Sequence, residues 1–302
     1  MKFSVYTVST PDWTPEAAAK TLAAQGWDGI EWRITDQIDA ETPGFWAGNR
    51  ATWPLTNLED NLEEIARITA DAGLEFSALG GYARCDDHED VERLLSATVR
   101  LGARQVRVTT LPLGTSRMGG GEPSGRSYPD LFAETKQHFG WVAERAAHHG
   151  VKALVQLHHQ TVISSASAAL RLLEGLDPRY VGVIHDLGNL LIEGQEENLA
   201  GLQMLGDYLA HVHVKNARWV PTGTEGDGVL AGTVTWANEW ATLRAGQASV
   251  ADYFRALASV GYDDWVTVED FTTELPLTER MAGDLAYLKA VEAAVRTAQR
   301  SS

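Results

Sequence analysis

Apolar residues along this 302-residue chain fall into short runs that alternate with longer stretches of helical period. The runs Lys2–Val8, Asp28–Ile34, Glu75–Tyr82, Gln105–Leu111, Lys152–His159, Val181–Gly188, Leu209–Asn216 and Trp265–Phe271 are apolar at most positions. That pattern predicts parallel strands covered on both faces. Between them, Pro15–Gln25, Leu58–Ala72, Glu89–Leu101, Pro129–His149, Ser164–Leu173, Glu196–Leu205 and Val250–Val260 predict helices, with a last helix from about Leu277 to Arg296. Thr14 and Ser164 suit N-caps, and glycine stands just past several helices, as at Gly26 and Gly150.

Eight strand-then-helix units predict an α/β fold: a single-domain (β/α)8 TIM barrel over residues 1–302 rather than an open doubly wound sheet. No GxGxxG follows the first strand, which counts against a dinucleotide fold. The connections after strands two, four and seven are long, at about Thr35–Asn57, Pro112–Tyr128 and Ala217–Ser249. In such a barrel these loops form the functional face. With the first loop they hold six of the ten tryptophans: Trp13, Trp46, Trp53, Trp219, Trp236 and Trp240. Such a cluster suits the C–H faces of a sugar, and equally the anchoring of long loops.

Side chains alternate faces along a strand. Leu154, Gln156 and His158 therefore share a face, as do Ile184 and Asp186, with His185 turned the other way. His211, His213 and Lys215 share another, as do Thr267 and Glu269. Gln156, Asp186, His213 and Glu269 then converge at the C-terminal mouth, the pattern of a mononuclear divalent-metal site with mixed nitrogen and oxygen ligands. Any one of them alone reads more readily as a cap, an ion-pair partner or a hydrogen-bonded group. Four on successive strands point to a cation.

The opening strand, GWDGIEWR (Gly26–Arg33), HVHVKNA (His211–Ala217), VTVED (Val266–Asp270) and the spacing of the four ligand positions resemble the xylose isomerase-like TIM barrels. That family includes sugar-phosphate isomerases and epimerases, ketose 3-epimerases, hydroxypyruvate isomerase and inosose dehydratase. The resemblance spans nearly the whole chain. It implies a metal held by Glu, Asp, His and Glu, here Gln156, Asp186, His213 and Glu269, with Mn first and Co, Mg or Zn as other choices. It also implies that the two glutamates work as paired acid and base on opposite faces of the substrate. Three positions depart from the pattern: Gln156 replaces the first glutamate, Asn189 a histidine and Asn216 an aspartate.

An amide cannot accept a proton usefully near pH 7. Either His158, with an ordinary imidazole pKa, takes over as the second acid/base, or Glu269 works alone beside the metal. The expected activity is a metal-dependent isomerase or epimerase acting through an enediolate on a keto- or aldo-sugar. A lyase or dehydratase of a keto-sugar or inosose, C-glycoside cleavage included, is the alternative, and a non-catalytic sugar-binding barrel is a third reading. Lys215, Arg218, Trp13, Trp46 and Trp219 are the expected substrate contacts. Glu31 and Arg33 read as a structural pair inside the barrel, with Arg107 in a similar role. Gly119-Gly120-Gly121 reads as a flexible turn of a lid. His88, His138, His148 and His149 read as surface residues.

Charge narrows the partners. A net charge of −16 and an isoelectric point near 4.9 disfavour nucleic acid and anionic membranes. They also disfavour the multi-metal DNA-repair branch of the family. The expected partner is a small sugar or polyol; association into homo-oligomers is left open. One cysteine, Cys85, permits no internal disulfide, and the N-terminus lacks a signal-peptide pattern, so a cytoplasmic protein is expected.

Overall fold

A computed structural model describes residues 1–113 and 125–300. Eight parallel strands close into a barrel: β1 (Lys2–Tyr6), β2 (Gly29–Ile34), β3 (Glu75–Gly81), β4 (Gln105–Arg107), β5 (Lys152–Gln156), β6 (Val181–Asp186), β7 (Leu209–Val214) and β8 (Trp265–Val268). Each pairs with its neighbours in chain order, and β1 bonds both β2 and β8, so the barrel has no open edge. The helices outside it are α1 (Pro15–Gln25), α2 (Leu62–Asp71), α3 (His88–Leu101), α4 (Tyr128–His149), α5 (Ala166–Leu173), α6 (Leu187–Ile192), α7 (Asn198–Leu205), α8 (Val250–Ser259) and α9 (Leu277–Arg300). This is the (β/α)8 barrel that the hydrophobic pattern predicts.

The helix ends follow from local chemistry. Thr14 accepts from the Ala17 amide with Pro15 in the first turn of α1, and Gly26 closes that helix at φ 87°. The cap of α5 is Ser165, one residue beyond the expected Ser164. Several strands are shorter than their apolar runs, because apolar residues beyond the last ladder bond remain buried under the loops. Val8, Leu111 and Phe271 are 1%, 4% and 7% exposed although none lies in a strand.

Besides a two-residue strand, Thr52–Trp53, that pairs with β2, a helix and a hairpin were not predicted. Helix α6 begins directly at the end of β6, with Asp186 as its cap, leaving no loop to mark the change. The long connection after β7 holds an antiparallel hairpin, Asn216–Glu225 with Thr233–Ala241. Most of its residues are exposed on both faces, so the sequence shows no in-out alternation there. The Gly119-Gly120-Gly121 turn lies outside the described residues. Among the described residues no helix is long and apolar enough to cross a membrane. Cys85 is buried, and burial pushes its thiol up to about 12.

The barrel interior is apolar at one level and polar toward the mouth. Leu154, Ile184 and Ala210 form a small apolar cluster. Next to it Ser4 and Thr267 share a 2.6 Å hydroxyl bond. The Tyr6 ring crosses the interior and its hydroxyl donates to the Gly80 carbonyl at 3.0 Å. A Cβ at Gly80 would stand 2.1 Å from that ring, so this strand position has to be glycine. Gly80→Ala is expected to lower unfolding stability by about 1–3 kcal/mol, read as a lower urea midpoint at unchanged m-value.

Candidate active site

The barrel register brings Gln156, Asp186, His213 and Glu269 together. Gln156 and Asp186 are the last residues of β5 and β6, and Asp186 pairs directly with His213 on β7. Glu269 follows β8, its amide still bonded to the Val214 carbonyl at 3.1 Å. All four are buried. The ligand atoms of Asp186, His213 and Glu269 lie within 4.8 Å of one another.

Each carboxylate is surrounded by donors. Asp186 caps α6 through the Asn189 amide at 2.9 Å, and its other oxygen accepts from Gln156 Nε2 at 2.6 Å and Asn189 Nδ2 at 3.0 Å. The Lys215 ammonium, 3% exposed, bonds both Asp186 Oδ2 and Glu269 Oε2. His213 Nδ1 is 3.2 Å from Glu269 Oε1. Burial opposes ionisation of Glu269, but Lys215 and His213 hold its carboxyl well below the ordinary value. Burial would also discharge Lys215, and the two carboxylates keep it charged.

Below this layer Glu31 accepts from Nε2 of both His213 and His211, each at 3.0 Å. Burial would raise the Glu31 carboxyl, and the two imidazoles hold it down at about 2. Burial lowers the His213 imidazole, but Glu31 and Glu269 more than reverse this, to about 10. Glu31 therefore does not pair with Arg33, as the sequence suggested. Arg33 bonds Gln37 and Thr52, and Glu31 orients the imidazole that faces the centre. Arg107, also read as structural, donates to Gln156 Oε1 at 2.6 Å and lines the cavity.

Above the mouth lies a cavity of about 500 Å³. Gln156, Lys215 and Glu269 contribute to its lining, with His158 and His159 beside them and Trp46, Trp240, Phe271 and Tyr82 as aromatic walls. His158 Nδ1 donates to the His159 carbonyl at 2.8 Å, which leaves Nε2 as an acceptor. Burial, with His159 and Lys215 close by, pushes His158 down to about 3. It is thus a neutral hydrogen-bonding group on the cavity wall.

Of the expected substrate contacts, Lys215 and Trp46 line this cavity. Arg218, Trp13 and Trp219 do not. Arg218 pairs across the hairpin with Glu239 at 2.5 Å. Trp13 packs against the main core, and the Trp219 indole donates to the Leu191 carbonyl at 3.0 Å. Sequence spacing placed all three on functional-face loops without fixing which way they turn. Trp240, expected only as one of the six loop tryptophans, and Phe271, which was not singled out, form further walls. Trp240 follows from the hairpin register, which sets it opposite Ala217 at the barrel end of the arm.

A sequence model of the xylose isomerase-like TIM barrel matches residues 19–291. The chain belongs to that family. A relative named inosose dehydratase, from Geobacillus thermodenitrificans (strain NG80-2), is 27% identical over 147 residues, 46% of each chain. The family barrel is also seen in 3-keto-D-glucoside 4-epimerase, YcjR, from E. coli, with a TM-score of 0.68, 18% identity and coverage of 96% of this chain and 99% of that one. The IOLI protein, solved with a zinc atom, gives a TM-score of 0.69 at 14% identity over 98% and 99%.

The family implies a divalent cation at this mouth. Asp186, His213 and Glu269 fit one, as two carboxylates and an imidazole close enough for a single ion to bridge. Gln156, the expected fourth ligand, turns its oxygen to Arg107 and its N–H side to the trio. The Lys215 ammonium bonds one oxygen of each carboxylate that would hold a cation. The second trio, Glu31, His211 and His213, is already joined by imidazole N–H bonds and serves as support. Groups that orient a ligating histidine are commonly worth about 10–100-fold in metal affinity. Glu31→Gln is expected to weaken Mn(II) binding by about that factor while circular dichroism shows the fold retained.

Proposed function

We propose that the protein is a metal-dependent carbon-acid enzyme acting on a keto- or aldo-sugar, or a related polyol, through an enediolate. The observation that carries this reading is Glu269, the one carboxylate on the cavity lining among the described residues, beside an ammonium and with an amide where the family has a second carboxylate. A divalent cation held by Asp186, His213 and Glu269, Mn first among Mn, Co, Mg and Zn, would supply Lewis acidity to the substrate oxygens.

The remaining roles belong to side chains in place. Glu269 is the base that takes the proton from the carbon beside the carbonyl. Lys215 presents a fixed positive charge to the oxygen on which negative charge develops. His158 accepts a substrate hydroxyl through Nε2. Trp46, Trp240 and Phe271 hold the C–H face of the ring. The acidic surface supports a small-molecule substrate rather than nucleic acid.

One base can carry a proton from one carbon to its neighbour on the same face, so isomerisation is the first reading. Inversion by two bases on opposite faces needs a second proton carrier, which Gln156 cannot be. The same feature supports a second reading, loss of a β-hydroxyl from the enediolate as water: Glu269 takes the proton from carbon and returns it to the leaving oxygen, so one carboxyl group serves both steps. The relative named inosose dehydratase agrees with that outcome.

The test is solvent-deuterium incorporation, followed by NMR, across a panel of ketoses, inososes and 3-keto-glycosides with added Mn. Exchange at one carbon beside a carbonyl is expected, falling by about 10²–10⁴-fold in Glu269→Gln. A dehydrated product accompanying exchange selects the lyase. Metal-loaded protein that exchanges no proton on any of these compounds sinks the proposal.

A further inference from the structure

Gln156 is bonded at both ends of its amide. Arg107 Nη1 donates to Oε1 at 2.6 Å, and Nε2 donates to Asp186 Oδ2 at 2.6 Å while lying 3.1 Å from His213 Nδ1. Chemistry fixes the orientation. A guanidinium has only donors, and an ionised carboxylate only acceptors. Turning the amide over would set its N–H groups against Arg107 and its oxygen against Asp186, replacing two hydrogen bonds by two repulsions.

Arg107 is itself held in place. Its Nε donates to the Gly81 carbonyl at 2.9 Å, its guanidinium lies 4.1 Å from the Tyr82 ring centroid, and it is 5% exposed. A glutamate at position 156 could meet Arg107 with one oxygen and a cation with the other. A glutamine has one oxygen, and here it is turned to Arg107 while the N–H group points to Asp186.

We infer that Gln156 is not a ligand of the centre but a hydrogen-bond donor to Asp186, clamped by Arg107, and that the cation is held by three side chains: Asp186, His213 and Glu269. The trio then brings two negative charges to a dication, one fewer than the family's set of two glutamates, an aspartate and a histidine. The coordination position vacated by the missing carboxylate passes to water or to a substrate oxygen. Gln156 becomes a positioning residue, holding the same Asp186 oxygen that Lys215 bonds.

This inference rests on the proposed function only in taking a divalent cation as the occupant. It concerns coordination, so its test reads no turnover. Full-length wild type, Gln156→Ala and Gln156→Glu are loaded with Mn(II), and bound waters are counted by ¹⁷O-water electron–nuclear double resonance alongside affinity by Mn(II) titration. The expected result is the same number of waters in wild type and Gln156→Ala, and one fewer in Gln156→Glu, with affinity at least about tenfold higher in the glutamate variant. One extra water in Gln156→Ala, or an unchanged count in Gln156→Glu, would show the amide oxygen on the metal and overturn the inference. Folded wild type that binds no Mn(II) overturns it as well. If Gln156→Ala fails to fold, the wild-type and Gln156→Glu counts decide between the two arrangements. Three-ligand Mn(II) binding without deuterium exchange would leave this inference standing and remove the functional proposal.

Discussion

Buried carboxylates have to be matched by donors or cations, and that constraint organises the mouth of this barrel. Glu31, Asp186 and Glu269 all lie out of contact with bulk water. Glu31 is met by two imidazoles, Asp186 by two amides and an ammonium, and Glu269 by the same ammonium and an imidazole. Removing any of these partners leaves an uncompensated charge in a low-dielectric interior. The groups on the cavity lining are thus fixed by a charge balance that runs down through His213 to Glu31 at the next level of the barrel. A dication held by Asp186, His213 and Glu269 would add its charge to this balance.

The barrel was legible because each strand and helix carries its own signal: apolar runs of strand length, helical periods and capping residues. The convergence of Gln156, Asp186, His213 and Glu269 was legible for a related reason, since strand-end position and alternation are local properties. Partner choice across the barrel was not. Glu31 lies 180 residues from His211 and 182 from His213. Alternation turns Glu31 inward without saying which inward groups it will meet, and Arg33, two residues away, looked like the nearest counter-charge. Arg107 was obscured in the same way, because its contact with Gln156 depends on the register between β4 and β5. The hairpin walls were hidden by exposure: an arm with both faces in solvent needs no alternating pattern.

The three departures from the family pattern share a physical logic that a residue-by-residue reading does not reveal. Each replaces a titrating side chain with an amide, and each amide is used at both ends. Gln156 offers its oxygen to Arg107 and its nitrogen to Asp186. Asn189 donates to Asp186 and to the Leu157 carbonyl, and its oxygen lies 3.2 Å from His159 Nδ1. Asn216 donates to the carbonyls of Leu243 and Ala248 and accepts from the amides of Ala217 and Ala248, which ties down the base of the hairpin that carries Trp240.

A carboxylate could supply only the accepting half of any of these sets, and at Asn216 it would face two carbonyl oxygens without a donor. A centre decaying from a metal enzyme would be expected to strand the former partners of its lost groups. Here each of the three amides is bonded through both its oxygen and its nitrogen, and Asp186 keeps a full set of donors, while Arg107 Nη2 is buried without a hydrogen-bond partner among the described residues. Gln156 and Asn189 therefore share one hydrogen-bond network around Asp186, and Asn216 holds a separate one at the base of the hairpin, an ordered arrangement that a centre merely losing its former groups would not be expected to keep.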